Sequence, residues 1–385
     1  MEKPFWILCI THMLVEVNLL IQVALIPVII TEFKLGLLEA SLVATVPSLV
    51  QLVMNIPAGY FAERFSPRSL LFASMMIEGL SGLLASQTDS FWTLILAIAL
   101  LKISSPLYHI FGLSQVSRIV KPERMNKAMG FHNALGSFGS AVGVVSLSVF
   151  LGTLGWRWTY FFWAFPILIW GIVLLKSKNL GEGRFEKKDR KDRDGLRGLS
   201  FVVSSSFLVF LVAIAVREVG ATGSSTFMTT YFVRDRSLAE STASLIYGLG
   251  PFVGIAGSLF GGYFGERTGM RRAFNWMVVG CTVSLLMMFF ASQLYVLVAL
   301  YVLYAFFGSG MWSPMNALVA DIVPAKNMGM GFSIYFLTDG ITTSIAPILV
   351  AAVIEVSAAS IILPFSAFFM FLTLIVFHFV PPSRN

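Results

Sequence analysis

Long apolar runs, separated by short polar segments or by turns that contain Gly and Pro, recur along the whole chain. An α-helix needs about 20 mainly apolar residues to cross the hydrocarbon core of a bilayer. The pattern predicts twelve such helices, at approximately residues 5–30, 40–63, 69–87, 91–118, 127–154, 157–176, 200–233, 241–265, 273–292, 294–321, 328–354 and 358–380.

The composition supports a membrane protein. Of 385 residues, 57% are hydrophobic and 12% are charged, whereas soluble domains are about 45–50% apolar and about 25% charged. This excludes a water-soluble globule. The first run contains Glu16, Asn18 and Gln22 and no small-residue cleavage site follows it, so we interpret it as a retained helix and not a signal peptide. Cys9 and Cys281 both fall in apolar runs, which predicts small core residues and neither a disulfide nor a thiolate metal site.

The net charge of +7 is explained by the distribution of basic residues and does not indicate a nucleic-acid partner. If the N-terminus is cytoplasmic, 21 Lys and Arg lie on the cytoplasmic side and 4 lie outside. Because basic loops stay in the cytoplasm, this predicts that both termini are cytoplasmic. Short external loops and the absence of a glycosylation sequon favour a prokaryotic cytoplasmic membrane.

The chain divides into two similar halves. The polar segment 178–199 predicts a cytoplasmic linker between six-helix bundles at 1–177 and 200–385; its mixed charges favour a solvated tether over a site for anionic lipids. The segment Gly59–Arg68 reappears as Gly262–Arg271 at an offset of 203, and a second pair of matching segments follows at nearly the same offset. The sequence therefore indicates parallel repeats of six helices each.

The repeated segment resembles the signature loop of the major facilitator superfamily, although it has Glu in place of Asp and Ser66 in place of a Gly. The resemblance implies an all-α membrane protein with twelve transmembrane helices in two six-helix bundles. Carboxylates beside arginines can form charge-assisted hydrogen bonds between helices. We therefore predict a cytoplasmic gate, with a simple positive-inside turn as the alternative; its residues are Glu63, Arg64, Arg68, Arg118, Glu266, Arg267, Arg271 and Asp321.

A narrower resemblance concerns the fourth and fifth spans. Ser104, Ser105 and His109, followed by the segment from Ala128 to Gly143, are similar to the same region of fosmidomycin-resistance-type drug efflux proteins. One extra residue precedes His109, and Ile110 replaces the usual Pro. Gly136, Gly139 and Gly143 also predict close approach of helix backbones, whatever the family.

Ionisable residues inside the spans are costly and therefore point to function. Counting from the span ends places Glu16, Glu78, Lys102, Arg217, Glu218 and Asp339 near the midplane. The family resemblance implies that spans one, four, seven and ten line a central cavity. The predicted substrate and proton pathway contains His12, Glu16, Lys102, His109, Arg217, Glu218, Trp312, Asn316 and Asp339.

Each of these residues also has a structural interpretation. Lys102 could pair permanently with Glu78 or Glu16, and Glu78 and His132 are expected to be structural. Burial disfavours a charged carboxylate, so at least one midplane acid should carry a proton in some conformations. We favour Glu16 as the proton carrier, with His12 four residues away as a relay; a fixed Glu16–Lys102 pair is the alternative.

The sequence has no phosphate loop, nucleophile elbow or zinc-protease motif, so we expect neither an enzyme nor a cofactor, and no metal site. We predict a secondary transporter that works by alternating access, is coupled to protons, and exports a small amphipathic or drug-like molecule. The alternatives are uptake or exchange of an organic anion through a basic cavity, and a receptor or scaffold that does not transport. We expect a monomer in the lipid bilayer.

Overall fold

The computed structural model describes residues 3–120, 125–177, 204–323 and 328–381. Within these ranges the regular structure is helical and no strand occurs. Twelve segments are long and apolar enough to span a membrane, which confirms the predicted number of spans and the all-α fold class. In chain order the helices are α1 (Lys3–Glu16), α2 (Ile21–Ala24), α3 (Ile26–Phe33), α4 (Leu37–Arg64), α5 (Pro67–Ser86), α6 (Phe91–Leu101), α7 (Ser104–Ile119), α8 (Met125–Leu151), α9 (Arg157–Lys176), α10 (Ser205–Arg234), α11 (Glu240–Thr268), α12 (Met270–Phe290), α13 (Leu294–Gly310), α14 (Trp312–Ile322), α15 (Met328–Glu355) and α16 (Ile362–His378).

The chain forms two compact units. The first contains residues 1–186 and 232–252, and the second contains residues 187–231 and 253–385. In the first unit α5 packs against α9 and α1 packs against α8; in the second, α12 packs against α13 and α16. The predicted linker at 178–199 lies outside the described residues, so the predicted domain boundaries stay a prediction.

Three spans are broken near their middle. The first span is interrupted between α1 and α2, the fourth between α6 and α7, and the tenth between α13 and α14. At the fourth-span break the hydroxyl of Ser104 donates to the carbonyl of Leu101 at 2.8 Å, and Gly308 and Gly310 precede the tenth-span break. At the fourth and tenth spans the backbone stays right-handed helical, and the N–H groups of Ile103 and Met311 bond to carbonyls three residues earlier, so each break is a local tightening of the helix.

Glycines let α8 lie directly on the backbone of the first span. A Cβ at Gly139 would collide with the carbonyl of Met13, and a Cβ at Gly143 would collide with that of Val17. The close approach predicted from these glycines is therefore confirmed. The close approach places α8 directly against Glu16, the last residue of α1.

The second unit repeats this arrangement between α11 and α13. Gly257 and Gly261 have the same spacing as Gly139 and Gly143, and a Cβ at either would collide with the carbonyl of Phe306 or Gly310. The sequence analysis did not single out this second pair, although its spacing was visible. In both units the glycines lie beside a broken span.

Candidate functional site

In the first unit two imidazoles converge on one carboxylate. Nε2 of His12 lies 3.6 Å from Oε1 of Glu16, and Nε2 of His109 lies 3.4 Å from the same oxygen. His12 and Glu16 belong to α1, whereas His109 belongs to α7. Glu16 and His12 are buried, and the side chain of His109 is 37% exposed. The structure therefore brings together three of the residues predicted for the pathway, at the break of the first span.

Backbone carbonyls fix the orientation of both rings. Nδ1 of His12 lies 2.9 Å from the carbonyl oxygen of His132, and Nδ1 of His109 lies 3.0 Å from that of Ser105. Because a carbonyl oxygen can only accept, each Nδ1 carries the hydrogen. In a neutral ring Nε2 then presents its lone pair, so a cation or a proton is needed between it and ionised Glu16.

A buried stack of rings supports this arrangement. The ring of His132 stacks on that of His12 with the centroids 4.1 Å apart. Nε2 of His132 donates to the hydroxyl of Tyr108 at 2.7 Å, and this hydroxyl donates to the carbonyl of Leu8 at 2.9 Å. His132 thus has a structural role in this conformation, as expected for a helix-contact residue.

Lys102 and Glu78 lie in the same unit but are not paired with each other. Among the ion pairs of the described residues, none joins Lys102 to Glu78 or to Glu16. The ammonium of Lys102 donates to the carbonyl of Leu19 at 3.4 Å, beside the break of the first span. Glu78 is fully buried and accepts from Ser104 at 2.9 Å and from Asn18 at 3.2 Å. The fixed Glu16–Lys102 pair considered from the sequence is absent from this conformation.

In the second unit one guanidinium contacts two carboxylates. Nη2 of Arg217 donates to Oε2 of Glu218, its neighbour on α10, and lies 3.8 Å from Oδ1 of Asp339 on α15. Oδ1 of Asp339 and Nε of Arg217 have no hydrogen-bond partner in the described residues. Arg217 and Glu218 are adjacent on α10, and their long side chains meet. All three predicted residues form one cluster.

The ring of Trp312 lies beside this cluster, at the break of the tenth span. The guanidinium carbon of Arg217 is 5.7 Å from the centroid of the Trp312 ring. Trp312 is 42% exposed, and Asn316 one helical turn later is exposed as well. Both side chains are therefore accessible within their own unit, and their assignment to a substrate path stays a prediction.

The predicted gate residues are only partly described. The side chains of Glu63, Arg64 and Arg118 lie outside the described part of the structure, whereas Arg68 is half-buried and Glu266 and Asp321 are exposed. Arg267 lies over the ring of Tyr263 at 4.4 Å. Arg271 donates to the carbonyls of Val380 and Pro381 at 2.6 and 2.9 Å. Among the ion pairs of the described side chains, none includes Glu266 or Asp321.

One group in the described residues could hold a metal ion. The ligand atoms of His12, Glu16 and His109 all lie within 4.8 Å of one another. No sequence motif predicts this group, because its ligands come from two helices that are far apart in sequence. Ser140, whose hydroxyl lies 3.4 Å from Oε2 of Glu16, is also not among the predicted site residues. The signal available was its position beside Gly136 and Gly139, on the face of α8 that meets α1.

Twelve apolar helices, with buried charged clusters beside broken spans, define a multi-pass membrane transporter. The sequence profile of the Major Facilitator Superfamily matches residues 8–294 and 211–385 in two overlapping segments. The chain belongs to this superfamily. It is therefore a transporter and not an enzyme, and the resemblance inferred from the repeated loop is confirmed.

Individual proteins agree with this assignment. The chain is 22% identical to the fosmidomycin resistance protein of Escherichia coli (strain K12) over 85% of its length and 80% of that protein. It is 24% identical to a probable sugar efflux transporter of Pasteurella multocida (strain Pm70), over 71% of this chain and 66% of that one. A bacterial homologue of the human lysosomal transporter Spinster shares the fold, with a TM-score of 0.79, 14% identity and full coverage of both chains.

Proposed function

We propose that this protein exports a small amphipathic or drug-like molecule in exchange for protons, by alternating access, as a monomer in a bacterial cytoplasmic membrane with both termini inside. The names of two relatives, a fosmidomycin resistance protein and a probable sugar efflux transporter, support export. The chain has no phosphate loop, so a gradient must supply the energy.

The observation that carries proton coupling is the charge of the second-unit cluster. One guanidinium, that of Arg217, faces two carboxylates at membrane depth, which leaves one negative charge in excess. An unpaired charge is strongly disfavoured there. Glu218 bonds directly to Arg217, while Asp339 has an oxygen without a hydrogen-bond partner in the described residues. Asp339 is therefore our candidate for the proton carrier.

The groups that face Asp339 define how a proton could be exchanged. They are Arg217 and Glu218 on α10 and the hydroxyl of Tyr335, one turn earlier on α15. With a proton on Asp339, Arg217 is fully compensated by Glu218. When the proton leaves, Arg217 must be shared between two acids. Binding and release of the proton thus change the hydrogen bonds of a guanidinium that lies beside Trp312.

The remaining pathway residues are assigned to the substrate. Trp312 and Asn316 offer an exposed aromatic face and an amide in the second unit. In the first unit we assign Lys102, His109, His12 and Glu16 to the pathway, because they lie at or beside the breaks of the first and fourth spans. Glu16, the carrier favoured by the sequence, is the second candidate for the proton site.

For the cytoplasmic loops we propose a gate formed by the two copies of the signature loop. In the second copy Arg267 lies in the last turn of α11 and Arg271 lies in the first turn of α12. Glu266 is exposed in this structure and would pair with an arginine only in the closed conformation. An isolated exposed pair contributes about 0.2–1 kcal/mol, which suits a contact that must break in every cycle.

Purified protein in sealed proteoliposomes tests the proposal. Fosmidomycin is the first probe and a panel of lipophilic dyes is the second. We expect efflux of preloaded probe that depends on a pH gradient and that acidifies the lumen, because protons enter as the probe leaves. Asp339→Asn should bind the probe and lose the pH-driven flux. Asp89→Asn, which changes an exposed loop acid, should behave as the wild type.

The possible outcomes separate the candidate functions. Full pH-driven flux by Asp339→Asn would exclude Asp339 as the carrier, and Glu16→Gln is then the next variant. Proton movement in the same direction as the probe would indicate uptake of an organic anion, which has less support because Arg217 already contacts two carboxylates. Binding without flux under any gradient would indicate a receptor.

A further inference from the structure

Three of the four histidines of this chain lie together in the first unit, around a single buried carboxylate. We propose that His12, Glu16 and His109 form a binding site for a transition-metal dication of the zinc type, with one coordination position left open. The three ligands are also assigned to the proposed pathway, but the metal proposal does not rest on the proton site, which is placed at Asp339 in the second unit.

The distances between the ligand atoms fit a small tetrahedral ion. Bonds of about 2.0–2.1 Å to zinc place neighbouring tetrahedral ligand atoms about 3.3 Å apart. The two nitrogen-to-carboxylate distances are 3.6 Å for His12 and 3.4 Å for His109. One ligand atom from each of the three residues can be chosen so that all three lie within 4.8 Å of one another.

Each ligand also has a partner on its far side. Nδ1 of His12 donates to the carbonyl of His132, and Nδ1 of His109 donates to that of Ser105. Oε2 of Glu16 accepts from Ser140. This is the outer shell that orients ligands in known metal sites, where the second ring nitrogen donates to a carbonyl or carboxylate. The lone pairs of both Nε2 atoms are thereby directed at the same point.

The charge of the cluster calls for a cation. With neutral rings and an ionised Glu16 it carries a charge of −1 inside the membrane, and no described lysine or arginine is within ion-pair distance. A dication changes this to +1 and satisfies both Nε2 lone pairs at once. Two imidazoles and one carboxylate suit zinc, cobalt or nickel more than calcium or magnesium, which prefer oxygen ligands.

The third imidazole is not a ligand, which leaves the site open. Nε2 of His132 is bonded to Tyr108, so the protein supplies three ligands. Sites with three protein ligands keep a position for water or another molecule. The side chain of His109 is 37% exposed, so that an anionic group can reach this position.

The experiment uses the full chain in lipid nanodiscs, stripped of metal with a chelator and titrated with Co²⁺. We expect one Co²⁺ per chain, with the visible absorption of tetrahedral cobalt, and its displacement by Zn²⁺. His12→Ala and His109→Ala should each lower the affinity at least about tenfold. His378→Ala removes the exposed histidine at the end of α16 and should leave binding unchanged.

The variant His109→Cys keeps a metal-binding side chain at position 109, so that loss of a ligand can be distinguished from loss of folding. In His109→Cys the thiolate should coordinate the ion and add a sulfur-to-cobalt charge-transfer band, which a purely structural role would not produce. Wild-type protein that binds no Co²⁺, or binds it as tightly after His12→Ala, would overturn the proposal. Cobalt bound to His109→Cys without the new band would also overturn it.

Discussion

The two buried clusters, one in each unit, differ in the chemistry of their bases. In the first unit the imidazoles of His12 and His109 face one acid, Glu16, and the buried Lys102 donates to a backbone carbonyl. In the second unit the base is the guanidinium of Arg217, which is permanently charged and faces two acids. The first cluster therefore needs an added cation or a proton, and the second has one acid in excess.

This difference assigns different tasks to the two clusters. Neutral imidazoles whose Nδ1 hydrogens are held by carbonyls are ligands with free lone pairs. A guanidinium has no lone pair to offer and can only be shared among anions, so its cluster responds to a proton.

The largest expected effect concerns the glycines on which the first cluster depends. Gly143→Ala places a Cβ against the carbonyl of Val17, next to Glu16. Because the collision is with backbone, the helices must separate, and overpacking typically costs about 1–3 kcal/mol and occasionally more. We expect about 3 kcal/mol or more, seen as a lower unfolding temperature in detergent.

Two further variants decide whether this effect belongs to the packing. Gly261→Ala, its counterpart against the carbonyl of Gly310 in the second unit, should lower the unfolding temperature by a similar amount. Gly130→Ala on the same helix as Gly143 meets open space and should be neutral or slightly stabilising, because alanine favours helix by about 1 kcal/mol. Equal behaviour of Gly143→Ala and Gly130→Ala would contradict the packing argument.

An effect of similar size distinguishes the two buried bases, Arg217 and Lys102. Arg217→Met leaves Glu218 and Asp339 buried without a cation, and breaking a buried pair in this way costs about 3–5 kcal/mol. Lys102→Met removes one hydrogen bond to the carbonyl of Leu19 and should cost about 1 kcal/mol. Thermal unfolding of both variants measures the difference.

A compensating change sharpens that test. Adding Glu218→Gln to Arg217→Met should restore much of the lost stability, because the only acid then left in the cluster is Asp339, our candidate proton carrier, which is neutral when it holds a proton. An unfolding temperature that falls equally for Arg217→Met and Lys102→Met would remove the distinction between the two clusters.

Span positions were predictable from the sequence because hydropathy alone determines them, and the repeated loop was enough to identify the superfamily. The residues of both clusters were also predictable, since ionisable side chains in apolar runs stand out. The hydrogen-bond and ion-pair partners of these residues were not predictable. Whether Lys102 pairs with Glu16 or with the carbonyl of Leu19 depends on the break of the first span, and this break has no strong signal in the sequence. The convergence of His109 on Glu16 likewise depends on how α7 packs on α1.

A smaller effect is expected from the tyrosines beside each cluster. Tyr108→Phe leaves the buried Nε2–H of His132 without a partner, at a cost of about 1–3 kcal/mol. Tyr304→Phe removes a bond to Ser224, but that hydroxyl can still donate to the carbonyl of Gly220 at 3.0 Å. We therefore expect about 1 kcal/mol or less for Tyr304→Phe. Thermal unfolding ranks the two, and the opposite order would refute this account of the Tyr108 hydroxyl.

The smallest expected effect is at the repeated loops. In this structure Arg271 bonds to the carbonyls of Val380 and Pro381 and Arg267 lies over Tyr263, so a clamp at Glu266 must form in another conformation. Glu266→Gln would then destabilise only the closed state, by up to about 1 kcal/mol, and shift the population toward the inward-open state by up to about fivefold.

Labelling of a cysteine introduced by Asn316→Cys, from the cytoplasmic side, measures this shift, since the native Cys9 and Cys281 are buried. Glu63→Gln tests the first copy in the same way. Unchanged labelling in both variants would show that neither loop is a clamp and would leave the positive-inside turn as their function.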